Sequence, residues 1–99
     1  MKVLKFGGSS VANSKNIDKV LNIVANSSAE QNVVVVVSAL GKTTNALIKG
    51  ARLAADKKQE YLEVLKDLEN HHFKVVNELI SVKNQSAINS RIKQLFNHL

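Results

Sequence analysis

Lys5-Phe6-Gly7-Gly8-Ser9-Ser10 holds the first group of residues able to do chemistry. Paired glycines let backbone N–H groups come close to an oxyanion, a lysine adds a point charge, and two hydroxyls can bond phosphate or substrate oxygens. Two readings fit this string: a phosphate-cradling turn, or a plain glycine turn beside a lysine whose stem lies along a strand. A second group follows at Ser38 and at Thr44-Asn45, two hydroxyls and an amide six residues apart. Between them Gly41-Lys42-Thr43 copies the tail of a Walker A loop, but the earlier glycine that loop requires is Val36, so it is no P-loop. Thr43 or Thr44 also fits as an ordinary helix cap. His71-His72 is no metal pair, because adjacent helical residues diverge by about 100° whereas ligand pairs on a helix sit three or four apart. His72 reads as a histidine at the edge of a core, and Phe73 and Phe96 as packing residues.

Lys2 to Phe6 is a short apolar run broken by a lysine and closed by Gly7-Gly8, which predicts a strand entering a turn. From Asn16, residues Ile17, Val20, Leu21 and Val24 recur at helical spacing, with Asn13 or Ser14 in place to cap the first N–H groups and an end near residues 26–28. Val33 to Val37 are five β-branched residues without polar alternation, the pattern of a parallel strand covered on both faces. Strand, helix, strand over about 38 residues makes a βαβ unit. Both chemical groups then fall at the carboxyl ends of the two strands, the edge where open α/β sheets bind ligands.

Helical spacing resumes at Leu47, Ile48, Ala51 and Ala55, and a longer helix runs from Gln59 through Tyr61, Leu65, Leu68, His72, Val76 and Leu79. Val82 to Gln85 reads as a break. Ser86 reads as the cap of a last helix whose stripe is Ile88, Ile92, Leu95, Phe96 and Leu99.

The composition limits the setting. Ninety-nine residues suit one small domain, and 44% hydrophobic with 22% charged residues is an ordinary globular balance. With no cysteine there is no disulfide, thiol nucleophile or cysteine zinc site, and a reducing cytoplasmic setting is the expectation. No stretch nears the roughly 20 apolar residues that span a bilayer, which predicts no membrane partner. The net charge is +6, yet the basic residues are scattered and only Lys57-Lys58 are adjacent. That favours a solvated basic surface over a nucleic-acid-binding module. Two parallel strands make a poor sheet alone, and Leu99 falls on the apolar stripe of the last helix. The expectation is an amino-terminal part of a larger α/β protein, or strands that pair with another chain.

Lys5 to Asn13, with Val37-Ser38-Ala39 and Thr44-Asn45, resembles the start of the aspartate kinases of the amino acid kinase family. The opening string is especially similar to the bifunctional enzymes that join aspartate kinase to homoserine dehydrogenase. The motif-bearing resemblance covers about residues 2–48, and Ser9 replaces the family's usual threonine. It implies the N-terminal part of a three-layer αβα fold with a mainly parallel sheet, residues 1–48 carrying the substrate and phosphate loops and 49–99 a helical segment. It implies transfer of the ATP γ-phosphate, with Mg2+, to the side-chain carboxylate of L-aspartate. Lys5 would then be the catalytic cation on the transferring phosphate, Gly7, Gly8 and Ser9 the phosphate-facing turn, and Ser38 and Thr44 the aspartate-binding hydroxyls. It further implies a homo-oligomer in the full-length protein and, for a bifunctional parent, a dehydrogenase domain using NADP beyond this chain. Another amino acid kinase acting on a different carboxylate or carbamate is the alternative.

Overall fold

The structure, a computed structural model, describes residues 1–99 in full. It is α/β, with β1 (Lys2–Phe6), α1 (Ser14–Ser28), β2 (Val33–Val37), α2 (Thr43–Ala55), α3 (Tyr61–Leu79) and α4 (Val82–Asn97) in chain order. The chain divides into two compact units, Met1–Lys42 and Thr43–Leu99.

In the first unit β1 and β2 pair in parallel, with Lys2 opposite Val33 and Phe6 opposite Val37. Side chains alternate along a strand, so Val3 and Lys5 share one face with Val34 and Val36, while Leu4 and Phe6 share the other with Val33, Val35 and Val37. Leu4, Phe6 and Val33 are half-buried and Val3 and Lys5 exposed, so α1, which packs on β2, covers the Leu4–Phe6 face. The valine run is the expected strand, but the expected cover on both faces is not there. Val34 to Val37 keep 40–58% of their surface, because one helix shields one side of a two-stranded sheet. Asn13 caps α1, its Oδ1 accepting the Asn16 N–H at 2.9 Å. On the stripe of α1, Val20 is buried and Ile17 and Val24 half-buried, while Leu21 is exposed.

The second unit is three helices, α2 on α3 and α3 on α4. Gly50 is buried on α2, with Val64 Cγ1 of α3 3.7 Å from where a Cβ would stand, an ordinary contact distance. The α3 stripe is as the spacing predicts: Leu68 and Val76 are buried, and Tyr61, Leu65, His72 and Leu79 half-buried. His72 Nδ1 lies 2.8 Å from the Leu68 carbonyl oxygen, which can only accept, so Nδ1 carries the proton. Its ring meets Phe96 edge-on at 5.4 Å, a core-edge histidine as expected.

One boundary, the start of α4, differs from the sequence reading, and both ends of α2 gain detail. Thr43 is the first residue of α2 and buried, and Thr44 is the second and exposed. Two residues past the end of α2, Lys57 is left-handed at φ 59°, with Lys58 N–H bonded to the Leu53 carbonyl at 2.9 Å and Lys57 N–H to the Ala54 carbonyl at 3.0 Å. This is the Schellman closure, usually made by glycine. α4 starts at Val82 behind Ser81 rather than after Ser86. Gln85 continues that helix because its side chain has work elsewhere: Nε2 donates to the Ile80 carbonyl at 2.8 Å and to Asn77 at 3.2 Å, satisfying carbonyls at the end of α3. The α4 stripe is only half realised, with Ile88, Ile92 and Phe96 half-buried but Leu95 and Leu99 more than 60% exposed.

Candidate functional site

The carboxyl edge of the two-stranded sheet carries the first unit's chemistry. β1 delivers Lys5 on the face that α1 leaves open, and the chain then turns through Gly7, Gly8 and Ser9. Val11, 5% exposed, is the most buried of the core hydrophobics and roots this loop. Burying a valine side chain contributes about 1.5–3 kcal/mol, so a loop that is polar on its outer side still has an apolar footing.

The turn spends its backbone hydrogen bonds in one direction. Its three carbonyls all accept: Gly7 from the Ser10 N–H at 3.1 Å, Gly8 from the Gly41 N–H at 2.9 Å, and Ser9 from Asn16 Nδ2 at 3.0 Å. Within this unit the N–H groups of Gly7, Gly8 and Ser9 donate to no protein acceptor. A run of unpaired N–H donors is a concentration of partial positive charge, and with the exposed Lys5 ammonium one strand residue away it suits an oxyanion.

The two glycines have different physical reasons. A Cβ on Gly7 would meet nothing within 4 Å, so this position is open to solvent. A Cβ on Gly8 would stand 3.0 Å from the Gly41 carbonyl oxygen and 3.4 Å from that of Ala39, both backbone atoms that cannot swing aside. Gly8 is therefore the place where the loop after β1 presses against the loop after β2.

Ser38 opens that second loop. Its N–H donates to the Phe6 carbonyl at 3.0 Å, carrying the ladder one step past the strands, and its side chain is exposed. Lys5, Gly7, Gly8, Ser9 and Ser38 thus share one sheet edge. Thr44 belongs to the second unit, exposed in the first turn of α2. Gly41, which in the sequence belongs only to the false Walker tail, and Asn16, which there only starts a helical pattern, hold the turn. No spacing rule flags either, because Gly41 meets Gly8 across 33 positions of chain and Asn16 reaches back seven.

Residues 1–95 match the amino acid kinase family. The chain belongs to the amino acid kinase family. Its curated relatives within that family carry aspartokinase names. It is 32% identical over its whole length to the bifunctional aspartokinase/homoserine dehydrogenase of Buchnera aphidicola subsp. Acyrthosiphon pisum (strain APS), where the match spans 12% of the relative. It is 36% identical to aspartokinase 2, chloroplastic, of Arabidopsis thaliana, and 36% to aspartokinase 1, chloroplastic, of the same plant. Each of these two matches covers 78% of this chain and 14% of the relative. The chain thus spans about one eighth of the length of the curated relatives it matches. No helix is long and apolar enough to cross a membrane.

Proposed function

We propose that residues 1–99 are the N-terminal portion of an aspartate kinase domain, transferring the ATP γ-phosphate to the side-chain carboxylate of L-aspartate. The observation that carries this reading is the one-directional turn: three free N–H donors at Gly7, Gly8 and Ser9 beside Lys5, in an amino acid kinase sequence whose relatives bear aspartokinase names. The residues fit a polyphosphate, which needs donors and positive charge and no acceptors. ATP would bring Mg2+ on its own phosphates.

In this mechanism the aspartate carboxylate is the nucleophile. An aspartate side chain free in water titrates near about 3.9 and is ionised at neutral pH, so no general base is required. One of its oxygens attacks the γ-phosphorus in line, the bond from that phosphorus to the bridging oxygen breaks, and ADP leaves with the electron pair. The products are an acyl phosphate and ADP. The chain supplies position and charge. Lys5 lies against the transferring phosphoryl oxygens, the turn N–H groups hold phosphate oxygens from the backbone side, and the Ser38 and Thr44 hydroxyls take the amino acid. Residues 1–48 would carry these loops and 49–99 a helical segment. The same proposal includes a homo-oligomeric, cytoplasmic parent without nucleic-acid or membrane partners. Similarity over the whole chain to a bifunctional relative favours a parent with an NADP-using homoserine dehydrogenase domain.

The test is aspartate-dependent ADP release by the full-length protein that carries this chain. Lys5→Ala lowers kcat by about 10²–10³-fold, the range for losing one donor to developing charge. Ser38→Ala and Thr44→Ala raise KM for aspartate and leave KM for ATP in place. An unchanged aspartate KM in both variants would assign the phosphoryl group to a different acceptor. The 99-residue chain by itself gives no aspartate-dependent turnover.

A further inference from the structure

The free donors of the turn are aimed by residues outside it. A peptide unit is planar and trans, so fixing the carbonyl of one residue fixes the N–H of the next, pointing the opposite way. The Ser10 N–H on the Gly7 carbonyl therefore sets the Gly8 N–H, and the Gly41 N–H on the Gly8 carbonyl sets the Ser9 N–H. Asn16 Nδ2 on the Ser9 carbonyl fixes the peptide unit that closes the turn.

We propose that Gly41 and Asn16 are positioning residues for this turn: they hold the carbonyls of Gly8 and Ser9 so that the N–H groups stay directed at a bound phosphate. The proposal rests on the phosphate reading given above. Gly41 suits the task for a backbone reason. It sits at φ +48°, a region L side chains rarely adopt, and a Cβ there would stand 3.3 Å from Ala12 Cβ and 3.4 Å from Ala12 Cα. Only a residue without a Cβ brings its N–H to the Gly8 carbonyl without strain. Asn16 does two things at once. Its backbone N–H is taken by the Asn13 cap, and its amide side chain reaches back to Ser9. The Gly41 tie also joins the two loops of the sheet edge, since the segment from Ser38 to Gly41 is bonded at its start to Phe6 and at its end to Gly8. The phosphate turn and the Ser38 hydroxyl are thereby held in one frame.

The test uses the 15N-labelled chain and magnesium-free inorganic triphosphate as probe, following the amides of Gly7, Gly8 and Ser9. In the ligand-free protein the heteronuclear NOE of the same amides reports how well the turn is ordered. Gly41→Ala and Asn16→Leu each weaken triphosphate binding about five- to tenfold, the loss expected for one hydrogen bond, and lower the NOE at Gly8 and Ser9. Asn13→Ala, which removes the helix cap and leaves the Ser9 tie, lowers the melting temperature with affinity unchanged. If Gly41→Ala unfolds the unit, Asn16→Leu decides, because it alters no backbone conformation. Variants that bind triphosphate as the parent does, with turn amides equally ordered, overturn the proposal. Parent amides that ignore triphosphate overturn the phosphate reading instead, and lost order in the variants then still supports the positioning role.

Discussion

Alanine at Gly8 and alanine at Gly7 should have opposite effects on stability, although the two glycines are neighbours in one turn. At Gly8 the new methyl carbon would stand 3.0 Å from the Gly41 carbonyl oxygen, tighter than nine in ten Cβ contacts. The obstruction is backbone, so relief requires the two loops to part, and parting them stretches the 2.9 Å bond from the Gly41 N–H to the Gly8 carbonyl. That bond contributes about 1 kcal/mol and overpacking adds about 1–2. The smaller entropy of the unfolded alanine chain offsets about 0.4–1 kcal/mol. The net is a loss of about 1–2.5 kcal/mol. At Gly7 nothing lies within 4 Å and φ is not left-handed, so only the entropy term acts and Gly7→Ala is neutral to slightly stabilising, by up to about 1 kcal/mol. Thermal unfolding followed by circular dichroism reads both. For a domain of this size each kcal/mol moves the midpoint by roughly 4–8 °C, so Gly8→Ala melts lower by about 4–20 °C and Gly7→Ala melts level or higher. A Gly8→Ala protein as stable as its parent would refute the close approach, and equal losses at both positions would refute the distinction between them.

The helical unit offers two further tests by thermal unfolding. Lys57→Gly stabilises the chain by about 1 kcal/mol, because glycine adopts the left-handed Schellman position that lysine now holds at φ 59°. Gly50→Ala also stabilises, by about 0.5–1 kcal/mol, since alanine is the better helix former and its methyl would meet Val64 Cγ1 at an ordinary 3.7 Å. A loss of stability in that variant would mean that α2 and α3 lie closer than described.

The amino-acid order by itself determined the strands, the existence of all four helices and the family. These are short-range properties. A run of valines, an asparagine ahead of a 3.6-residue stripe, and a glycine pair after an apolar strand each act within a few residues, and the pattern Lys5 to Asn13 carries family membership in one continuous string. The sequence also put Lys5, the glycine turn and Ser38 at the strand ends, because parallel pairing of β1 and β2 leaves both following loops on one edge. It failed where a local signal met a longer-range partner. Val82 to Gln85 has the local pattern of a break, yet it is helical because Gln85 bonds the end of α3. Leu95 and Leu99 have the spacing of packed residues, yet they are exposed because α4 is shielded along only part of its stripe.

Tertiary structure alone decided why the glycine turn has two glycines. Gly7 faces open space and Gly8 faces the backbone of a loop 33 residues further on, a difference that two identical residues cannot encode locally. Tertiary structure likewise decided the polarity of the turn, since its carbonyls are consumed by Ser10, Gly41 and Asn16 and its N–H groups are not. A backbone offers a donor and an acceptor at each such residue, and which of the two stays free depends on what the rest of the fold brings within about 3 Å.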